Sequence, residues 1–430
     1  VKTNVKHSFV TYLLFIITSF LVLMIFNFNA TLSIILSQVI ICIFFVSILR
    51  TKLACVILLF PVISFLISEG YKDSFTALGD GKPYVEISEQ FFEEYLHNTD
   101  DFIIEIKEKN TAINIFYFHY LGAYFTTLVP EYIFSQPLEE TEYYLFQQYV
   151  FLFLISLLFY LSTYWKIFTF STLQIIFIFL LVSPTYFELG TAITRHYLTF
   201  FSVFLFYISY QGLKNNKSVF KFITLLISIL LIFLGKPGYL LLLAMYVIIV
   251  SLKKISKTKL SIIVGTLVIF LVSIKPIIEI VSKYISTTTI STNSVSFGTG
   301  IFSSIPLKLI AAILSPFPWY KYNMFSHIYG DNILLFIFHI FSSLFGLWIF
   351  IRLLLYNKKL FRISEELKSL LIFGLVMSTS IFAGKIGFHG YLSIFFPFFA
   401  PLILIKKYNI NLIFPIIIAL SLNIVMFIIV

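Results

Sequence analysis

Residues 6–52 read KHSFVTYLLFIITSFLVLMIFNFNATLSIILSQVIICIFFVSILRTK. Two apolar runs, roughly 8–27 and 30–49, are separated by little more than Asn27-Phe28-Asn29. Lys2 and Lys6 precede the pair, and Arg50 and Lys52 follow it. A run of about 20 residues, rising 1.5 Å per residue as a helix, crosses a hydrocarbon core of roughly 30 Å. A hairpin with basic ends and an uncharged tip is the pattern of two spanning helices whose ends lie on the inner side. The first run begins like a signal peptide. It lacks a small-x-small cleavage site, and a second apolar run follows at once, so a retained helix is expected.

The same pattern recurs to the other end of the chain. Of 430 residues, 59% are hydrophobic and 12% charged, which is more apolar surface than a soluble chain of this size can bury. The mean hydropathy is +0.98. The runs are continuous and do not alternate, so they predict helices and not barrel strands. The expected fold is all-α: one integral membrane domain over 1–430 with about 13 transmembrane helices. Spans are expected at roughly 8–27, 30–49, 52–68, 145–164, 167–185, 196–212, 219–235, 238–252, 260–274, 332–351, 369–384, 390–405 and 410–430. Cys42 and Cys55 both fall in apolar runs, with no disulfide framework or zinc spacing.

The charges then assign sides. With the N-terminus inside, the inner loops collect 19 of the 30 basic residues and only Glu365 and Glu366 among the 20 acidic ones. Basic clusters such as Lys214/Lys217/Lys221 and Lys253/Lys254/Lys257/Lys259 are expected to be topology anchors on a solvated surface. The net charge of +10 is thereby read as membrane topology, and nucleic acid is not an expected partner. A large outer loop at 69–144 holds 15 of the acidic residues. Its apolar stretch 113–134 is expected to lie at the interface, because an upright span there would put Glu139, Glu140 and Glu142 in an inner loop without a base. Those glutamates are read as a solvated surface. A second outer loop, 275–331, carries a Ser/Thr-rich patch and then Ser315-Pro316-Phe317-Pro318-Trp319. The expected location is the cell (inner) membrane, multi-pass, with the N-terminus cytoplasmic and the C-terminus extracytoplasmic.

Gly79-Asp80-Gly81-Lys82-Pro83-Tyr84 is the most informative polar segment. Flanking glycines let the backbone turn tightly and leave the carboxylate unobstructed. Pro83 suits the first turn of a helix, and Tyr84, Ile87, Phe91 and Tyr95 then recur at three- and four-residue steps. An amphipathic helix along the outer membrane surface is expected there, with Asp80 just before it. The bland reading is that Asp80 only makes a turn. Arg195 is the one arginine of four on the outer side, beside His196 at the start of a span. A guanidinium matches phosphate bidentately, which a lysine does not. Lys236 and Lys385 also lie on the outer side at membrane depth, against the positive-inside trend. Snorkelling of a long side chain is the plain alternative for all three. Glu188 is a candidate second carboxylate that either pairs with Arg195 or helps to bind a metal. There is no phosphate loop, Rossmann fingerprint or Ser-His signature.

A carboxylate in the first large outer loop followed by an amphipathic helix resembles the GT-C superfamily of polyprenyl-phosphate-dependent membrane glycosyltransferases. Four further pieces fit in chain order over roughly 69–405. They are Ser183-Pro184 followed by Arg195-His196-Tyr197, Gly235-Lys236-Pro237-Gly238, the Ser315–Trp319 segment, and Gly387-Phe388-His389-Gly390-Tyr391 before Phe396-Pro397. Here the large loop follows the third span and not the first. His389-Gly390 stands where many relatives have Arg-Tyr, and no Asp-x-Asp occurs in the second outer loop.

What the resemblance implies is a glycosyltransferase acting on the extracytoplasmic face, in bacterial cell-surface polysaccharide or glycolipid synthesis. Its partners would be a polyprenyl-linked sugar donor, a glycan or lipid acceptor, and membrane lipid. Asp80 would be the general base. Arg195, Lys236, Lys385 and His389 would hold the donor phosphate. The residues indicate no metal, and the cofactor stays open, a divalent ion included. The runner-up is an O-antigen or capsular repeat-unit polymerase, and from another class a transporter or flippase for lipid-linked oligosaccharide. A transporter is expected to show internal repeats and ionisable groups at mid-membrane. In this chain the charges gather at span ends.

Overall fold

The computed structural model describes residues 5–26, 29–49, 51–71, 129–130, 132–135, 138–182, 196–235, 238–251, 364–378, 398–399 and 401. Its described elements are all helical, with no strand among them. They are α1 (Val5–Ile25), α2 (Ala30–Leu49), a 3-10 helix (Lys52–Leu59), α3 (Phe60–Tyr71), α4 (Glu140–Tyr164), α5 (Phe170–Val182), α6 (His196–Asn215), α7 (Val219–Gly235), α8 (Gly238–Ser251) and α9 (Glu365–Ser378). Among the described residues two helices, over Ala30–Leu49 and Thr141–Tyr164, are long and apolar enough to cross a membrane by length and composition. The expected spans 260–274, 332–351 and 410–430, most of 390–405, and both outer loops apart from the edges of 69–144 lie outside the described residues. The chain divides into two compact units, the first holding α1 to α7 and the second α8 and α9.

In the first unit α1 and α2 form where two helices are expected, and they pack on each other. Asn29 opens α2, its Oδ1 accepting from the Leu32 amide at 2.9 Å, so one of the orphan amides of the first turn is satisfied. Ser19 and Ser37 then exchange hydroxyl-to-carbonyl bonds at 3.3 and 2.9 Å, and the Ser19 and Tyr149 hydroxyls meet at 3.2 Å. Both serines are fully buried. Hydroxyls of this kind join helices without placing a charge in an apolar interior. Aromatic rings extend the contact: Tyr12 stacks on Tyr160 at 4.7 Å, and Phe159 meets Phe45 and Phe177 edge-on at 5.5 and 5.0 Å.

The span expected at 52–68 is helical but not uniform. Thr51 starts it, its hydroxyl accepting from the Ala54 amide at 3.2 Å. The first eight residues are 3-10, and α-helix begins at Phe60. At the junction Pro61 has no N–H to give the Ile57 carbonyl. Phe60 donates to that carbonyl instead, closing the tighter 3-10 ring.

The turn between α4 and α5 is also built from backbone bonds. Lys166 N–H donates to the Thr163 carbonyl at 3.1 Å, and Ile167 N–H to the Ser162 carbonyl at 3.0 Å. This pair of bonds is the Schellman closure, and it sets Lys166 at φ 53°. Glycine is the usual residue at that position, so the sequence carries no signal for the motif. At the other end of α5, away from this turn, the described residues stop at Val182.

α6 and α7 form the most extensive helix pairing among the described elements. α6 is buried on every side from Phe200 to Ser209. α7 is different: Lys221, Thr224, Ser228 and Ile232 form its buried stripe, while Phe222, Ile223, Leu226, Ile227, Leu230 and Phe233 are exposed. α1 repeats the arrangement, with Tyr12, Ser19 and Leu23 buried and Leu13, Leu14, Ile17, Phe20, Leu21 and Met24 exposed. A helix on the surface of a water-soluble protein turns its polar side outward. These two turn serine or threonine inward and large apolar side chains outward.

In the second unit α8 packs on α9. The Tyr246 and Ser369 hydroxyls lie 2.9 Å apart, and the Tyr246 ring meets Phe373 edge-on at 5.2 Å. Gly374 is a close-approach site: a Cβ there would stand 2.7 and 2.8 Å from Cε1 and Cζ of Phe399, itself almost fully buried. Gly374→Ala should therefore destabilise this unit by about 1–3 kcal/mol through overpacking. A thermal melt of the purified protein in detergent checks it. An unchanged or higher midpoint would show that the Phe399 ring yields freely.

Candidate functional site

The residues that the sequence singles out for chemistry are Asp80, Glu188, Arg195, Lys236, Lys385 and His389, and all six lie outside the described residues. The helices that carry some of them are described. α6 begins at His196, the residue after Arg195, and α7 ends at Gly235, the residue before Lys236. α8 starts at Gly238, so the Gly235-Lys236-Pro237-Gly238 segment separates two helices as expected. Helix formation stops there for a local reason: Pro237 cannot donate and disfavours helical geometry in the residue before it.

The orientation of α6 against α7 follows from Lys221. Its ammonium donates to the Gly212 carbonyl at 2.9 Å and to the Asn216 carbonyl at 3.2 Å. Gly212 lies near the end of α6 and Lys221 near the start of α7, so the pair is antiparallel. From that contact, 16 residues lead back to His196 and 14 lead on to Gly235. At 1.5 Å per residue these are lengths of roughly 24 and 21 Å. His196 and Gly235 thus lie at the same end of one hairpin, at nearly the same level.

Polar contacts at the ends of other helices were not legible in the sequence. The sequence predicts a solvated surface for Glu142. In the fold its Oε1 accepts from the Thr31 amide at 3.1 Å and the Thr31 hydroxyl at 2.9 Å, and its Oε2 accepts from the Glu139 amide at 2.9 Å. One carboxylate therefore serves the N-termini of α2 and α4 together, where both helix dipoles favour negative charge. The two N-termini lie side by side, so α2 and α4 run in the same direction. At the opposite end of α2, the Gln174 side-chain amide of α5 donates to the Leu49 carbonyl.

Between these ends the first unit encloses polar but uncharged side chains, among them Ser19, Ser37, Gln38, Ser64, Ser68 and Thr141. Lys221 is the one charged side chain among the described residues that is buried. It was expected with Lys214 and Lys217 as a solvated anchor; those two are exposed and Lys221 is not. No group of three or more His, Cys, Asp or Glu placed to hold a metal ion occurs among the described residues. No protein-family model, curated protein or solved structure matches this chain.

Proposed function

We propose that this chain is a multi-pass protein of the cell membrane, with about 13 spans and a cytoplasmic N-terminus, that transfers a sugar from a polyprenyl phosphate or diphosphate on the extracytoplasmic face. The observation that carries the reading is the α6–α7 hairpin. Arg195 and Lys236 are covalently next to His196 and Gly235, and those two residues share one end of the pair. Two cations delivered to one end of a hairpin suit a phosphate group, which a guanidinium and an ammonium together hold and neutralise. The charge distribution assigns that end to the same side as the acidic loop containing Asp80.

The described helices support the membrane part of the reading in two ways. The exposed faces of α1 and α7 are apolar apart from Thr18, while Ser19, Thr224 and Ser228 lie on the buried faces, which is the arrangement lipid favours. The parallel course of α2 and α4, and the antiparallel course of α6 and α7, agree with the sides that the positive-inside rule assigns. Asp80 as general base, with Arg195, Lys236, Lys385 and His389 around the donor phosphate and Glu188 as a second carboxylate, is the arrangement of residues we propose for transfer.

The topology is testable directly. Reporter fusions at Asn98, Lys254 and Val430 should report outside, inside and outside. An inside signal at Asn98 would put Asp80 in the cytoplasm and end the assignment. Deletion of the gene should remove a surface glycan, and the lipid-linked species that accumulates separates the readings. A truncated unit supports a transferase, a complete single repeat unit a polymerase.

A further inference from the structure

We infer that the seam between α2, α3 and α4 binds water at a site formed by Gln38, Ser68 and Thr141. Gln38 is fully buried on α2. Its Nε2 donates to Ser64 Oγ of α3 at 3.2 Å and to the Leu145 carbonyl of α4 at 3.0 Å. A carbonyl accepts only, so the atom facing Leu145 must be the nitrogen. The remaining Gln38 Oε1 is buried with no hydrogen-bond partner.

Two further orphan atoms belong to residues about one helical turn away on the neighbouring helices. Ser68 is one turn beyond Ser64 on α3, and Thr141 is one turn before Leu145 on α4. The shared Glu142 contact makes α2 and α4 parallel. The chain reverses between Leu49 and Lys52, and the Gln38–Ser64 bond brings α3 back alongside α2, so α3 runs the other way. Moving forward along α3 and backward along α4 therefore leads toward the same end, the one where α2 and α4 begin. Ser68 and Thr141 are buried, at 0% and 3% exposure, and neither hydroxyl has a partner. Helical serines and threonines commonly satisfy themselves on the carbonyl four residues back. Ser202, Thr224 and Ser378 do so here at 2.6–2.8 Å. Ser68 does not, although the Ser64 carbonyl is within its reach along the helix.

Three orphan polar atoms from three helices, on residues within about one turn of the Gln38 contacts, call for partners, since native interiors leave few such atoms unpaired. The chemistry limits what such a partner can be. Gln38 Oε1 only accepts, and each hydroxyl both donates and accepts. The partner must donate at least once, carry no charge, and be small enough for a site whose walls expose almost no surface. Water meets all three conditions and a sugar does not. A hard cation is excluded, because it takes six or more oxygens, carboxylates usually among them. Glu142, half-buried and next to Thr141 in the chain, gives that edge of the site a polar neighbour. This site depends on helix contacts alone and stands apart from the glycosyl-transfer reading.

The test is the sign of a stability change. Thr141→Val and Ser68→Ala each keep the shape and remove a hydroxyl. If the hydroxyls hold water, each variant should lower the thermal midpoint by about 2 °C, and the double variant should lose little more. If the hydroxyls are simply unpaired, each substitution removes a buried orphan and the midpoint should rise, which would overturn the site. Radiolytic labelling of the unaltered protein gives a reading that needs no variant. Radicals formed from bound water should label Leu145, which is buried and otherwise protected. An unlabelled Leu145 would likewise overturn the inference.

Discussion

Asp80→Asn should abolish glycan transfer while leaving the amount of protein in the membrane unchanged. The substitution preserves size and polarity and removes the one property a base requires. Loss of a positioned general base costs about 100- to 10,000-fold in rate, which in a polysaccharide pathway reads out as absence of the surface product. The prediction discriminates because a carboxylate that only shapes the turn between Gly79 and Gly81 is replaced by asparagine almost without cost, asparagine being as apt in turns as aspartate. Arg195→Lys supplies the matching test on the donor side. It retains the charge and loses the bidentate geometry, so a phosphate-binding role predicts weaker use of donor, whereas a snorkelling role predicts no change. The two groups must bracket a single sugar phosphate a few ångströms across. A separation of Asp80 from both Arg195 and Lys236 of more than about 20 Å would end the assignment. Full activity in Asp80→Asn would favour the transporter reading.

Residues 6–52 show what a sequence makes legible. The length of an apolar run, an asparagine at its start and a proline within it are local properties. Run length sufficed for α1 and α2; the Asn29 cap and, farther on, the change from 3-10 to α-helix at Phe60 were not anticipated, although Asn29 and Pro61 are the local signals that could have found them. The same logic placed the starts of α6 and α8 and the end of α7 within a residue or so. Contacts between distant segments were not legible. Glu142 and Thr31 are 111 residues apart, and nothing around either one distinguishes a glutamate that closes two helix ends from a glutamate in water. The Schellman turn at Lys166 was hidden for a different reason: a residue with a side chain occupies the position where glycine would have announced it. For the candidate site, the sequence assigned a side of the membrane to Asp80, Arg195 and Lys236. It could not assign the distance of Asp80 from Arg195 or Lys236, because segments more than a hundred residues apart come together only through the packing of the helices between.

Lys221 was mistaken for an anchor of the same kind as Lys214 and Lys217, and the consequence is measurable. Lys221→Met should destabilise the protein by about 2–4 kcal/mol. A hydrogen bond from a charged donor is worth roughly 1.5–3 kcal/mol, and Lys221 makes two, to the Gly212 and Asn216 carbonyls at 2.9 and 3.2 Å. Both acceptors lie at the C-terminal end of α6, where the dipole favours a cation; the Gly212 carbonyl also accepts from the Asn216 amide at 3.0 Å, so Lys221 is its second donor. The ammonium also stands 5.8 Å from the centre of the Trp165 ring, which adds a weaker attraction. These contributions overlap, so their sum is an upper bound. At 7% exposure the interaction is shielded from the solvent and salt that weaken surface pairs. Methionine retains most of the stem that fills the space beside Gly212, where the lysine Cδ would stand 3.3 Å from an added Cβ, so the loss reports the charge and not a cavity. Lys214→Met and Lys217→Met remove the same charge from exposed positions and should change stability by less than about 0.5 kcal/mol. Melting the three variants in one detergent gives the comparison. Equal, small shifts would mean that Lys221 is only one more positive charge beside Lys214 and Lys217. A large shift confined to Lys221 means that the ammonium fixes α7 against α6, and with them the common level of the two helix ends from which Arg195 and Lys236 extend.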